Sequence, residues 1–470
     1  MCFHARVDPD LWGHVRFGID TLTNGRLTIT DPYSFTQDVP WINHEWLSEM
    51  AQAAAYRGAG VLGLVLLKAV VLGTAFLLLA RQTAGVAVEW RWWMLAAAIV
   101  GVAPAAFTMR PQLWTLLFIP LVWLALNRGW WFAIPVVFGV WANLHGGWIV
   151  GMGVGGLWLV GRAMDERGRE GPADAKRHAL LAAAAALAAG LIATLINPYG
   201  WQLWRFLFTT VRPWRDITEW RPLWEQDDFS SAIVWLVIVA VIVVPTVARR
   251  RSALTWAGTL PAAWLGVSSV FVARLVPLFA EVALLGLAAA WSAANVTKAA
   301  DFRPLRRPAQ FLIVDAAAIA AIALVNLISQ TRCLPIGRDA WTPDLQAASA
   351  LDSTMAQGRL VLPFNWGQYA IWHFGPRLRV SIDGRRETVY SQRMLEVQAA
   401  TARGLPAGIV FLSETRPEYV WLSTTAGAPA LTWLKSNGYR VDVHTDRSFV
   451  ATRADLPPLA MSDPKSRCFP

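Results

Sequence analysis

Long apolar runs alternate with short polar turns through most of the first 330 residues. The runs lie near 60–80, 93–108, 112–127, 130–143, 147–162, 179–196, 231–248, 253–271, 275–293 and 309–329. Some ~20 apolar residues in a helix cross a ~30 Å hydrocarbon core, so the pattern predicts about ten transmembrane helices, several of them short. Closely spaced pairs such as 112–127 and 130–143 read as helical hairpins. Two stretches break the pattern. Residues 1–58 are polar with amphipathic segments, and the chain after about 330 returns to soluble composition. That tail shows strand-like runs at Arg359–Leu362, Leu378–Ile382, Tyr419–Leu422, Tyr439–His444 and Phe449–Thr452. Helical patterns cover Asp344–Met355, 387–402 and 428–436. Alternation of this kind predicts a small α/β domain. The expected architecture is thus an outer loop with amphipathic interfacial helices (1–58), an all-α polytopic membrane domain (59–330), and a soluble extracytoplasmic α/β domain (331–470).

Composition agrees with the membrane reading. Charged residues make up 16% of the 470, against about a quarter in soluble proteins, and the 27 Trp suit membrane interfaces. The net charge of +10 is spread over short loops rather than one face, which excludes nucleic acid as the expected partner. Lys and Arg concentrate in alternate loops, including Arg81 and Arg91, Arg128, Arg162 to Arg177, Arg249-Arg250-Arg251 and Lys298 to Arg307. Those loops are cytoplasmic by the positive-inside rule. The first 58 residues, the 197–230 loop and the tail then face outside the cell inner (cytoplasmic) membrane. A polar outer segment of this size needs a leading helix to cross, so one more helix is expected before residue 1. Cys333 and Cys468 either pair outside the cell or stand as two unrelated thiols.

The first outer loop carries the densest chemistry. Asp8-Pro9-Asp10 opens a helix, with Asp as a cap and Pro in the first turn. Leu11, Trp12, Val15, Phe17 and Ile19 predict an interfacial face, and Gly25 ends the helix. Asp10 and His14 are four apart and share a side. Asp31-Pro32 is a turn, and Trp41 to Glu49 reads as a second amphipathic helix. Asp10, His44 and Glu45 are the candidate catalytic groups, with His14 and Asp31 lining the same polar site. Carboxylates there could act as a general base or hold a divalent metal, with Asp10, His44 and Glu45 as its ligands. The competing reading is caps and solvated faces. Arg110, Asn143, His145 and Arg274 sit at outer ends of apolar runs, where ionisable groups are functional candidates. The two Arg could bind phosphate in bidentate fashion or simply snorkel. In the tail, Asp383 and Arg385 follow a strand and are further candidates, whereas Trp366 and Tyr369 read as core packing.

The strings DPDLWGHVRFG (8–18), DPYSFT (31–36), WINHEWLSE (41–49), RPQLW (110–114), NLHGGW (143–148), NPYG (197–200) and IDGRRETVY (382–390) resemble a set of bacterial multi-spanning membrane proteins. Together with the acidic, His-containing outer loop and the outer tail, they are similar to the glycosyltransferase-C (GT-C) fold. That fold includes oligosaccharyltransferase catalytic subunits and protein O-mannosyltransferases. The resemblance implies a polyprenyl-phosphate sugar donor, an unidentified extracytoplasmic acceptor, and Asp10 as the loop carboxylate at that acceptor. It implies second-site acidic or metal-side roles for His44-Glu45 and donor-phosphate contacts for Arg110 or Arg274. The 366–372 aromatic stretch is loosely similar to the oligosaccharyltransferase Trp-Trp-Asp-Tyr-Gly motif. Gly367-Gln368 stands where that motif has Asp, which argues against a peptide acceptor. The expected activity is inverting glycosyl transfer. A transporter or lipid-handling protein, or a non-catalytic envelope-assembly partner, would use the same residues without chemistry.

Overall fold

The computed structural model describes residues 7–167, 172–210, 217–291, 333–337, 341–463 and 467–470. The expected span at 309–329, the basic loop near 298–307 and Trp214 lie outside them. The chain divides into two compact units. One takes the described residues within Val65–Phe107 and Pro111–Ile328, the other those within Arg6–Leu64, Thr108–Arg110 and Ser329–Pro470. The polar segment at the start of the chain and the tail therefore fold within one unit, although more than 260 residues separate them in sequence.

The first unit is helical. Its helices are α3 (Val88–Ala106), α4 (Gln112–Arg128), α5 (Ala133–Leu144), α6 (Trp148–Arg167), α7 (Ala173–Ala193) and α8 (Trp201–Thr210). They are followed by α9 (Ser230–Ala253), α10 (Trp256–Phe271) and α11 (Ala273–Trp291). Each of the first nine apolar runs falls on a helix. Among the described residues, four helices are long and apolar enough to cross a membrane: α2 (Trp46–Gln82), α7, α9 and α11. The expected ten spans are thus not confirmed among the described residues. The 12 residues of α5 rise only about 18 Å at 1.5 Å each, well short of a bilayer core. Small residues set the tightest packing. A Cβ on Gly258 of α10 would lie 2.0 Å from the Gly286 carbonyl oxygen of α11, so these backbones touch. The N-terminus of α10 is capped from α6, where Asp165 accepts from the Trp256 and Ala257 amides at 2.8 and 3.0 Å.

The second unit opens with α1 (Leu11–Asn24), which Gly25 ends at φ 64°, as the sequence predicts. Its apolar face does not lie in the headgroup region. Leu11, Trp12, Val15 and Phe17 are all buried in protein. Trp12 meets Tyr369 edge-on at 5.1 Å, on helix α13 (Gly367–Phe374) of the tail. The second amphipathic helix also differs. Residues 41–45 are not helical, and Trp46 instead starts α2, which runs on into the first membrane segment. That helix bends at Ala59–Gly60, where Gly60 takes φ 58° and ψ −140°, a conformation other residues avoid.

The tail has α12 (Leu345–Ser353), β1 (Gly358–Val361), β2 (Leu378–Val380), α14 (Gln392–Ala402), α15 (Pro406–Thr415), β3 (Tyr419–Ser423), α16 (Ala428–Ser436), β4 (Tyr439–His444) and β5 (Ser448–Arg453). Its five strands order β2-β1-β3-β5-β4, parallel from β2 to β3 and antiparallel beyond. Val361, Leu412, Val420, Leu422, Leu434 and Phe449 form its core. The loop at 33–36 adds to the open β2 edge. Phe35 N donates to Val380 O at 3.1 Å and Val380 N to Tyr33 O at 3.0 Å. Covering the edge in this way removes an unpaired row of backbone groups. Cys333 and Cys468 are joined by a disulfide with Cα atoms 5.0 Å apart.

Candidate active site

The second unit gathers a charged cluster where α1 begins. The Asp10 amide donates to Asp8 Oδ1 at 2.9 Å. Asp10 occupies the N-cap position, yet its side chain makes no capping hydrogen bond. Its carboxylate points instead at Arg110, with Oδ2 3.2 Å from Nη2, and Arg110 Nε lies 3.3 Å from Asp8 Oδ1. A quarter of the Asp10 side chain stays exposed, against 8% for Asp8. Burial raises the Asp10 carboxyl above its ordinary value; Arg110 opposes that rise and Asp8 adds to it. A more basic carboxylate with an open face suits proton abstraction.

The tail holds this carboxylate in place. Gln368, 3% exposed on α13, accepts from the Gly13 amide at 3.1 Å. A Cβ on Gly13 would lie 2.1 Å from Gln368 Oε1. One on Gly384 would lie 2.3 Å from Asp10 Oδ1 and 2.6 Å from Gln368 Nε2. Gly13 therefore packs against the Gln368 amide, and Gly384 packs against both that amide and the Asp10 carboxylate.

Behind Asp10, His14 Nδ1 lies 3.3 Å from Glu49 Oε1, and Asn43 Nδ2 donates to Glu49 Oε2 at 2.5 Å. Burial alone would lower the His14 imidazole. The Glu49 hydrogen bond and the charges of Glu45, Glu49 and Asp10 outweigh it and push the ring up to about 9. His14 is then an imidazolium at neutral pH. Glu45 acts on both Asp10 and His14 through its charge, and His44 Nε2 lies 3.7 Å from Glu45 Oε1. Among the described residues no group of three or more His, Cys, Asp or Glu is arranged to hold a metal ion.

Asp31, Asp383 and Arg385 lie together in the same unit, and they are spent on one another. Arg385 Nη1 and Nη2 donate to both Asp31 oxygens at 2.7 and 2.8 Å. Its Nε and Nη2 donate to Asp383 at 2.8 and 2.7 Å. Tyr390 donates to Asp383 Oδ2 at 2.7 Å. The guanidinium also lies 5.0, 5.2 and 4.8 Å from the Phe17, Tyr33 and Trp41 ring centres. The Asp31 and Asp383 side chains are fully buried, and Arg385 is 5% exposed. Burial would raise Asp383, but the Arg385 charge and hydrogen bonds hold it below the ordinary carboxylate value. The three charges form one buried, mutually hydrogen-bonded network.

In the helical unit, Asn143 is a strut. Its Nδ2 donates to Gly139 O on its own helix and to Ile196 O beyond α7, both at 2.8 Å. His145 Nδ1 lies 2.7 Å from Thr115 Oγ1 and accepts from the Gly147 amide at 3.1 Å, which shapes the α5–α6 turn. Arg274 is 31% exposed, with Nη1 3.1 Å from Glu219 and Nη2 donating to Gln112 at 3.2 Å.

No protein-family model and no curated protein matches the chain. A solved structure does. The arabinofuranosyltransferase AftD from Mycobacteria superposes over 96% of this chain with a TM-score of 0.53 and 14% identity. The fold is glycosyltransferase-C-like. This chain spans 38% of the AftD chain. The oligosaccharyltransferase of Archaeoglobus fulgidus aligns over 97% of this chain and 72% of its own, at a TM-score of 0.47 and 11% identity.

Within the second unit, the structure brings Asp10, His14, Glu45 and Arg110 into one cluster, with His44 attached through Glu45. It gathers Asp31, Asp383 and Arg385 into a second. Asn143, His145 and Arg274 belong to the helical unit. Asp8, a cap or a lining carboxylate by sequence, faces Arg110. Two contributors escaped the sequence reading. Glu49, in the WINHEWLSE string, is the His14 partner. Gln368 reads only as a departure from an aromatic motif.

Proposed function

We propose that this chain is a multi-pass membrane glycosyltransferase-like protein. It transfers a sugar from a polyprenyl-phosphate donor to an extracytoplasmic acceptor with inversion. The observation that carries the reading is Asp10: a partly open carboxylate with a raised proton affinity, spare from helix capping and fixed by Arg110 and the tail. The shared fold supports it. In the reaction, the acceptor oxygen bonds to the anomeric carbon as the bond from that carbon to the phosphate oxygen breaks. Asp10 takes the acceptor proton, and the electron pair leaves with the phosphate. Arg110 anchors Asp10 and Asp8. His14, held charged by Glu49, keeps a positive charge behind Asp10. The disulfide supports an oxidising, extracytoplasmic setting for the tail. Asp31, Asp383 and Arg385 are assigned to holding the outer loop on the sheet edge.

The test is Asp10→Asn in the full chain, assayed for transfer from a radiolabelled polyprenyl-phosphate sugar. A general base contributes about 10²–10⁴ in rate, so transfer should fall by that factor with an unchanged size-exclusion profile in detergent. Wild-type transfer by this variant would remove Asp10 from its role.

A further inference from the structure

A second polar cavity lies on the other stretch of α1, within the same unit. It has a volume of about 260 Å³, just below the ~300–1,000 Å³ of pockets for drug-sized ligands. Arg16, Asp20 and Asn24 project into it at four-residue spacing, joined by Thr28 and Tyr33. Ten residues of helix separate Asp20 from Asp10, a rise of about 15 Å. The cavity is therefore distinct from the Asp10 cluster.

Its polar groups are only half used. Asp20 Oδ2 accepts from both Arg16 Nε, at 2.8 Å, and the Tyr33 hydroxyl, at 2.7 Å. That pairing fixes the carboxylate and cancels the Arg16 charge. Among the described residues, Asp20 Oδ1, both Arg16 Nη atoms, the Asn24 amide and the Thr28 hydroxyl have no protein partner. The Arg16 and Asp20 side chains each keep 26% exposure. The cavity thus offers an acceptor, two guanidinium donors, an amide that does both, and a hydroxyl. Pro376 supplies an apolar wall on the other side, with Ile371 and Leu378 buried behind it.

We infer that this cavity binds one neutral sugar residue, a subsite for a glycan acceptor beyond the residue that reacts. Planar side chains such as Asp, Asn and Arg match vicinal hydroxyls, which donate and accept at fixed spacing. The apolar wall suits the C–H face of a sugar ring. An anion is disfavoured, because Arg16 already faces Asp20. The acceptor assignment rests on the glycosyl-transfer reading above, whereas sugar binding itself does not.

The experiment uses the purified full chain in detergent on an array of neutral oligosaccharides built from arabinofuranose, mannose, galactofuranose and glucose. At least one series should be retained. The double variant Asn24→Ala/Thr28→Val removes two side chains that hold nothing in the fold, and it should weaken that binding at least tenfold. Asp10→Asn should bind as wild type. Retention of no neutral sugar, retention of sulfated sugars only, or equal binding by the double variant overturns the inference. The two readings fail separately. No transfer by the wild-type chain, with binding weakened in the double variant, would sink the glycosyl-transfer reading and leave the sugar site standing. Lost transfer by Asp10→Asn with unchanged binding by the double variant would do the reverse.

Discussion

Gly384→Ala probes how closely the tail sets the position of Asp10. The backbone at 384 is not in the left-handed region, so alanine adds no conformational strain. Its Cβ would lie 2.3 Å from Asp10 Oδ1 and 2.6 Å from Gln368 Nε2, whereas ordinary contacts begin at 3.4 Å. Both struck atoms are ends of side chains and can swing away, so the fold should lose about 1 kcal/mol, near the low end for overpacking. Asp10 must give way by about 1 Å, a displacement that costs on the order of 10²-fold in rate. That corresponds to about 2.7 kcal/mol of transition-state stabilisation. Steady-state transfer by the full chain in lipid nanodiscs would be measured beside its melting temperature. We expect kcat to fall about 100-fold and Tm by no more than a few degrees. Transfer within twofold of wild type at an unchanged Tm would refute the argument, because the carboxylate would have moved without consequence.

Arg385→Met should be damaging for another reason. It leaves two buried carboxylates facing each other, and breaking a buried ion pair from one side costs about 3–5 kcal/mol. At 2–4 °C per kcal/mol for a domain of this size, Tm should drop on the order of 10 °C at pH 7. Asp383 is held below its ordinary value in the folded protein, so the wild-type advantage exists above that value and is lost as pH falls through the folded one. A Tm gap that does not narrow on acidification would contradict the ion-pair account. His14 has the opposite sign. Its folded value of about 9 lies above the ordinary 6.5. Its stabilisation, about 3 kcal/mol at most, is therefore full below pH 6.5 and lost as pH rises through 9. The Tm difference between wild type and His14→Gln should shrink over that window, and a constant difference would argue against a charged ring. The double variant Cys333→Ser/Cys468→Ser opens a closure of 135 residues and should cost about 2–4 kcal/mol, read as a lower Tm that matches wild type under reductant.

Local signals were legible where one segment decides its own shape. An Asp before the first turn and Gly25 after the last mark α1 almost to the residue, and the strands of the tail fall on the strand-like runs. Interfacial burial was not legible. The face of Leu11, Trp12 and Val15 looks the same in sequence whether it meets headgroups or protein, and only the presence of α13 decides. That helix was itself obscured, since Gly367 and a cluster of aromatics read as a motif rather than as a turn of helix. The span count was not legible, because an apolar run of 14–16 residues is too short to distinguish a crossing from a buried helix.

The candidate site was legible in its residue types and illegible in its construction. Gln368 reaches Gly13 across 355 positions and Arg385 reaches Asp31 across 354. No periodicity encodes such pairings. They also change what the tail is. A domain appended to a membrane enzyme could be lost without touching the chemistry. Here the tail supplies the amide that accepts from Gly13 at the start of α1, the glycine that lies against Asp10, and the arginine that clamps the loop onto the sheet edge. The carboxylate with the raised proton affinity is thus a product of two distant segments folding together. Its environment, and not the Asp-Pro-Asp string alone, makes it the group best suited to take a proton.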